Sequence, residues 1–328
     1  MSNEEILKLR WKKTDKTLRD YIPKFKKIES DIVDDVIEIF DSLDITYSDL
    51  NKAISKSEKR KLDRNIEKWR EKGYMKTYLS ILTNKRKYTY SNLIEIMLFV
   101  MYLESSKNVE SITKEIYMIV AEDIYSQAYE DYKRARPDKK PPKRISLTWE
   151  YIWGMIIVPS FNKNWTDYLE LLVMTNAQEM FKQCLICLQQ NKKIKAKDLK
   201  DLVHKQRNRI IDINGDKESG ALVDTTRGLG NDIYTDSFDD KDLQVRFVAE
   251  MDNRTTPMCE SMNNMLFYVN DYNHFYRYSA MDKKDVYYSC YGLEAGVNLP
   301  PINNHFHWCR STITYDLQGD FIYLDDAR

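Results

Sequence analysis

The sequence predicts a mainly α protein, with a long-helix N-terminal region over residues 1–240 followed by a small C-terminal α+β domain over 241–328. Three observations carry this expectation. Apolar residues recur at spacings of three and four through most of the first 240 positions, the repeat of helices that bury one face. Only 9 Gly and 8 Pro interrupt 328 residues, whereas 31% are charged and 23 are Tyr, a composition suited to long solvated helices joined along aromatic and aliphatic seams. From Leu243 the period changes to two: Leu243, Val245, Phe247 and Ala249 alternate with Gln244, Arg246 and Val248, as in a half-buried strand. A chain of this length exceeds the roughly 250–300 residues at which one core stops growing, so two unequal domains are expected.

In chain order, residues 3–22 form a weakly amphipathic opening helix that should end near Pro23. Ile28, Ile32, Val33, Val36, Ile37 and Phe40 mark a second. From Ser48 to Lys72 charge dominates, with Leu50, Ile54, Leu62, Ile66 and Trp69 on the apolar side and a stop at Gly73. Ser91 is placed to cap a helix through Leu103 that is apolar nearly all round, hence central. A further amphipathic face runs from Ile112 through Tyr125 towards Tyr132. Trp165 to about Gln190 continues the helical pattern, with Cys184 and Cys187 inside it as C-x-x-C; apolar surroundings and the lack of a second half-site make these buried structural thiols. Residues 221–238 make one more helix, loosened by Gly228 and Gly230. Strands are expected at Met265–Val269, Val286–Tyr291 and Ile313–Tyr315.

The 51 basic and 51 acidic residues cancel, so no global field steers the chain to nucleic acid or membrane. Two local stretches are basic. Lys133, Arg134, Arg136, Lys139, Lys140, Lys143 and Arg144 crowd a proline-broken loop at 133–144, and Lys192, Lys193 and Lys195 open a second run that extends to Arg209. Either could contact DNA phosphates through counterion release, and either could be a solvated surface. The start of the chain carries no basic-then-apolar signal pattern, and its most apolar runs, 96–103 and 151–158, are far shorter than the roughly 20 residues a membrane span needs. A soluble intracellular protein without a membrane partner is expected. Five cysteines, an odd number, argue against a disulfide framework.

The residues that could carry chemistry lie in the last quarter. Asp252-x-Arg254-Thr255-Thr256-Pro257 follows the strand as a turn-forming run that the Asp252 and Arg254 pair can pin. Cys259, His305, His307 and Cys309 offer two thiols and two imidazoles, a sufficient set for tetrahedral zinc. Zinc sites usually come as paired hooks, however, and Cys259 stands alone in its half; packing cysteines beside a hydrogen-bonded histidine are the competing reading. No other cofactor is expected. A metal-dependent nuclease or hydrolase built on this loop is the alternative function, and the absence of a carboxylate within His305–Cys309 leaves it a weak acid–base set.

The order of strand, Asp252-x-Arg254-Thr255, Pro257, Cys259, a variable insert, Pro300-Pro301, then Cys309-Arg310 resembles the C-terminal domain of the minor head proteins of tailed phages, the Mu F-type head morphogenesis family. The likeness covers roughly residues 220–317 and departs from the family at Thr256 and Ser311, where many members have cysteine. The resemblance implies a structural, non-enzymatic role. Such a protein would be a minor capsid component of the virion, inside the head near the portal, and would occupy the host cytoplasm during assembly. Its expected partners are the portal protein, scaffold and major capsid proteins, and double-stranded DNA. Head assembly, DNA packaging or DNA ejection would be its task.

Overall fold

The computed structural model describes residues 3–140, 147–158, 163–211, 221–236, 238, 240, 243–249, 251, 263–264, 266–268, 275–279, 284–288 and 312–315. Among them are eight α-helices and seven short strands, so the protein is mainly α with a small strand-containing C-terminal region. The helices are α1 (Asn3–Leu43), α2 (Lys56–Glu71), α3 (Thr77–Thr83), α4 (Tyr90–Ala135), α5 (Trp149–Met155), α6 (Trp165–Gln189), α7 (Ala196–Ile210) and α8 (Ala221–Asp236). None of those described is long and apolar enough to cross a membrane.

Two expected breaks are absent. Pro23 lies inside α1 rather than ending it. A proline there removes one backbone donor and crowds the carbonyl four residues back, at roughly 3 kcal/mol, but the buried residues Trp11, Leu18, Phe25 and Ile32 recur every seventh position across it, and packing of that stripe outweighs the local cost. Likewise the helices expected through Leu103 and from Ile112 are one, α4. Its cap is Thr89 rather than Ser91: the backbone N–H of Asn92 donates to Thr89 Oγ1 at 3.4 Å, and Asn92 Oδ1 accepts from the N–H of Thr89 at 3.4 Å.

The chain divides into two compact units, each discontinuous in sequence: a first of Met1–Tyr21, Thr113–Trp165 and Ile210–Arg328, and a second of Ile22–Ile112 and Thr166–Arg209. A single cut near residue 240 does not describe them. The second unit is built from helices, with one isolated antiparallel bridge between Ala53 and Thr89. Its core collects Val36 and Phe40 of α1, Leu62 and Ile66 of α2, Leu79 of α3, the run Leu98–Leu103 of α4, Met180 and Cys184 of α6, and Leu199 and Val203 of α7. Gly73, at φ 70°, takes the left-handed conformation that ends α2, as the sequence led us to expect. Tyr102 Oη donates to Gln206 Oε1 at 2.5 Å, and Gln206 Nε2 donates to the Asn176 carbonyl at 3.2 Å, so the polar atoms carried into this interior are satisfied.

In the first unit, the C-terminal half of α4 buries Tyr117, Val120, Ile124, Tyr125 and Tyr132. Trp165 Nε1 donates to Thr113 Oγ1 at 3.0 Å, and its ring meets Tyr117 edge-on. The short strands β1 (Ile157–Val158) and β2 (Lys163–Asn164), not anticipated, pair antiparallel beside it. Trp11 packs so closely on α8 that a Cβ added at Gly230 would stand 3.0 Å from its ring, whereas one at Gly228 would meet open space. Gly230→Ala should therefore cost about 1–3 kcal/mol by overpacking, while Gly228→Ala should be neutral or gain up to about 1 kcal/mol of helix propensity. Urea unfolding of the two variants checks the contrast.

The C-terminal strands are β3 (Gln244–Val248), β4 (Leu266–Tyr268), β5 (Phe275–Ser279), β6 (Lys284–Tyr288) and β7 (Thr312–Tyr315). β3 is the centre of an antiparallel sheet ordered β4-β3-β7, with Val245, Phe247 and Val248 buried. β5, not foreseen, forms a separate antiparallel pair with β6.

Candidate functional site

β3 and β7 are joined so that the end of one lies beside the start of the other. Val248, the last residue of β3, is the register partner of Thr312, the first of β7. The segment that holds Asp252, Arg254, Thr255, Pro257 and Cys259 thus departs beside the point where the segment holding Pro300, Pro301, His305, His307, Cys309 and Arg310 arrives. Those eleven residues themselves lie outside the described residues, as do Lys143 and Arg144. Where the ladder ends, Asn263 Oδ1 accepts from the N–H of Ala249 at 3.1 Å and Asn264 N–H donates to the Phe247 carbonyl at 2.8 Å. Asn264 has φ 68°, a conformation that asparagine tolerates.

The sheet is anchored to the helices of its unit by two carboxylates. Asp131, on α4 and buried, accepts from Gln127 Nε2 at 2.9 Å and from Tyr234 Oη at 2.6 Å. The same Tyr234 hydroxyl accepts the backbone N–H of Tyr315 at 3.2 Å, and Tyr315 Oη donates to the Tyr234 carbonyl at 2.5 Å. Their rings stack 4.4 Å apart. Asp240, just before β3 and with its side chain 6% exposed, accepts from Tyr132 Oη at 3.1 Å, Arg136 Nε at 3.2 Å and Lys139 Nζ at 3.1 Å. Burial, then the Asp240 carboxylate, push the Tyr132 hydroxyl up to about 12.

This geometry redistributes the expected DNA contacts. In the first stretch, Arg136 and Lys139 are bound to Asp240, and Lys133 Nζ pairs with Glu130 at 3.0 Å. Arg134 is half-buried and engaged, and Lys140 is exposed. In the second, Lys193 Nζ meets Asp41 of α1 at 3.0 Å, Lys192 Nζ meets Gln190 Oε1 at 2.8 Å, and Lys195 is exposed. Further along, Arg207 Nη1 reaches Glu29 of α1 at 2.6 Å. Two cations of the run thus meet carboxylates of α1. Arg136 and Arg207 are largely spent inside the fold, whereas Lys140, Lys195, Lys197, Lys200 and Lys205 stay exposed.

Cys184 and Cys187 lie in the core of the second unit as free thiols. Burial pushes both thiols up, so neither is a nucleophile or a ready metal ligand at neutral pH. Among the described residues no group of three or more His, Cys, Asp or Glu could hold a metal ion.

A different surface keeps its charge. Lys56, Arg60 and Arg64 follow one another at four-residue spacing along the outer side of α2, and Lys85, Arg86 and Lys87 form the loop between α3 and α4; all six are exposed. The sequence signals were present, a like-charged i, i+4 row and a tribasic run, but they are diluted by the acids interleaved along α2. Comparison of the chain with protein-family models, curated proteins and solved structures yields no match in any of the three.

Proposed function

We propose that this chain is a structural minor head protein of a tailed phage or prophage, associated with the portal and assisting head assembly, DNA packaging or DNA ejection. The reading rests on the ordered motif halves, Asp252 to Cys259 and Pro300 to Arg310, which resemble the Mu F-type head morphogenesis family. It is supported by the β3–β7 pairing, which puts Val248, four residues before Asp252, in register with Thr312, two residues after Arg310, although 40 residues lie between Cys259 and Pro300. Two proline-bearing motif halves that flank strands of a small sheet in sequence suit a docking element, and we assign them no catalytic step. The test is mass spectrometry of particles from the host that carries the gene, purified through a density gradient. The protein should co-purify with heads at a few copies per portal ring. Particles that lack it, together with normal heads from a deletion strain, would overturn the proposal.

A further inference from the structure

We propose that the second unit carries a binding surface for the phosphate backbone of double-stranded DNA, built from Lys56, Arg60 and Arg64 of α2 and the loop Lys85-Arg86-Lys87. It shares only its ligand with the virion reading above and stands or falls separately from it.

The two parts are held together by backbone pairing. Ser91 N–H donates to the Leu50 carbonyl at 3.0 Å, Tyr90 N–H to Lys52 at 3.2 Å and Ile54 N–H to Tyr88 at 3.1 Å, with an antiparallel bridge between Ala53 and Thr89. Both segments leave this pairing at the same end, one into Lys56 and α2, the other back through Lys87. The start of α2 is fixed by a capping box, in which Ser55 and Glu58 each accept the other's backbone N–H. Tyr90 Oη also donates to Glu58 Oε2 at 3.0 Å, joining α4 to α2 across the same junction. The cations therefore stand on rigid elements, with Leu62, Ile66, Leu82 and Tyr88 buried beneath.

The carboxylates between Asp49 and Glu67 are already committed. Asp49 pairs with Lys52, Asp63 with Lys59 and Glu67 with Arg70, while Glu58 serves the cap and Tyr90. Among the described residues, Lys56, Arg60, Lys85, Arg86 and Lys87 have no carboxylate within ion-pair distance. The surplus is positive, aligned and exposed. In the other two basic stretches several cations are spent on carboxylates, Arg136 and Lys139 on Asp240, Lys193 on Asp41 and Arg207 on Glu29, although Lys140, Lys195, Lys197, Lys200 and Lys205 also stand exposed.

The chemistry selects a duplex backbone. The ridge carries no exposed ring on which unpaired bases could stack, so it does not have the aromatic platform of single-strand binders. The apolar side of α2 is buried in the core, which leaves no face to insert into a bilayer. Exposed Ile81, four residues before the loop, is a single aliphatic side chain. A row of guanidinium and ammonium groups without base-reading neighbours would recognise phosphates irrespective of sequence.

The experiment measures fluorescence anisotropy of a labelled random-sequence 30-base-pair duplex with the full chain. With about five phosphates neutralised, binding should weaken roughly 500-fold between about 50 and 200 mM salt. Lys56→Ala/Arg60→Ala/Arg64→Ala and Lys85→Ala/Arg86→Ala/Lys87→Ala should each weaken binding about tenfold or more and lower the salt slope by about 2–3. Lys192→Ala/Lys193→Ala/Lys195→Ala should bind like the parent. Lysine-reactive labelling of the unaltered protein reads the same surface without substitution, and the duplex should protect Lys56, Lys85 and Lys87. The proposal is overturned by no duplex binding at low salt, by ridge variants that bind as the parent, by unchanged labelling of those lysines, or by tighter binding to phosphatidylserine vesicles than to duplex. None of these outcomes bears on whether the protein resides in virions, which the particle analysis decides.

Discussion

Asp240→Ala is expected to destabilise the first unit by about 2–4 kcal/mol, less than the roughly 3–5 kcal/mol typical of an orphaned fully buried charge. The discount follows from exposure. The Asp240 side chain is 6% exposed, but those of Arg136 and Lys139 are 23% and 42% exposed, so the cations can turn to water once their acceptor is gone. Tyr132 cannot do so as readily, because its ring lies buried 4.5 Å from that of Phe238. Asp240→Asn retains an acceptor for the Tyr132 hydroxyl but not the charge, and should cost about half as much. The tyrosine supplies an independent readout. Its hydroxyl titrates at about 12 in the fold, above the ordinary value of about 10, so folding gains stability that is complete below pH ~10 and is lost as pH rises towards 12. Without the carboxylate that window should narrow from above, seen as tyrosinate absorbance appearing at lower pH. Equal urea midpoints for Asp240→Ala and the parent would show that the three-donor cluster contributes nothing to the fold.

The Asp240 cluster also shows what the sequence could not reveal. Arg136 and Lys139 read as a basic loop because their counterion lies 104 and 101 positions away; no local window contains it. Lys193 and Arg207 are likewise neutralised by Asp41 and Glu29 of α1. Net charge in a window reports partners only when they are neighbours in sequence, and helices packed side by side bring distant ones together. Features set by local chemistry were legible: α2 stops at Gly73, α6 spans the expected stretch, and the C-x-x-C pair is core, whereas the loop expected from Lys133 begins only after Ala135, because the helix continues until Pro137 is near. Pro23 was misleading because its cost is local while the gain from the stripe around it is tertiary. Within the motif, the sequence revealed the order of the two halves. That both attach at one end of a ladder required the register of β3 and β7.

Tyr234→Phe is the substitution with the most directed consequence for that attachment, and is expected to cost about 2–4 kcal/mol. One hydroxyl does two jobs. It donates to the Asp131 carboxylate, 1% exposed, and accepts the N–H of Tyr315 in β7. Phenylalanine preserves the ring and so the stacking on Tyr315, which isolates the loss to the hydrogen bonds. The carboxylate, deprived of the donor at 2.6 Å, retains Gln127 at 2.9 Å, so the cost falls short of a wholly orphaned buried charge. A double-mutant cycle with Asp131→Asn should reveal coupling of about 1–3 kcal/mol, the double variant being less unstable than the two single losses combined. Amide hydrogen exchange locates the effect: the N–H of Tyr315 should lose protection first, while that of Arg246 in central β3 should retain more. Because β7 carries the end to which Cys309 and Arg310 are tethered, loosening it should weaken any docking made by the motif loops while leaving the helical second unit unchanged in stability. Additive single-variant costs would show that Tyr234 and Asp131 do not act as a unit, and equal loss of protection across β3 and β7 would show that Tyr234 does not latch the last strand to α8.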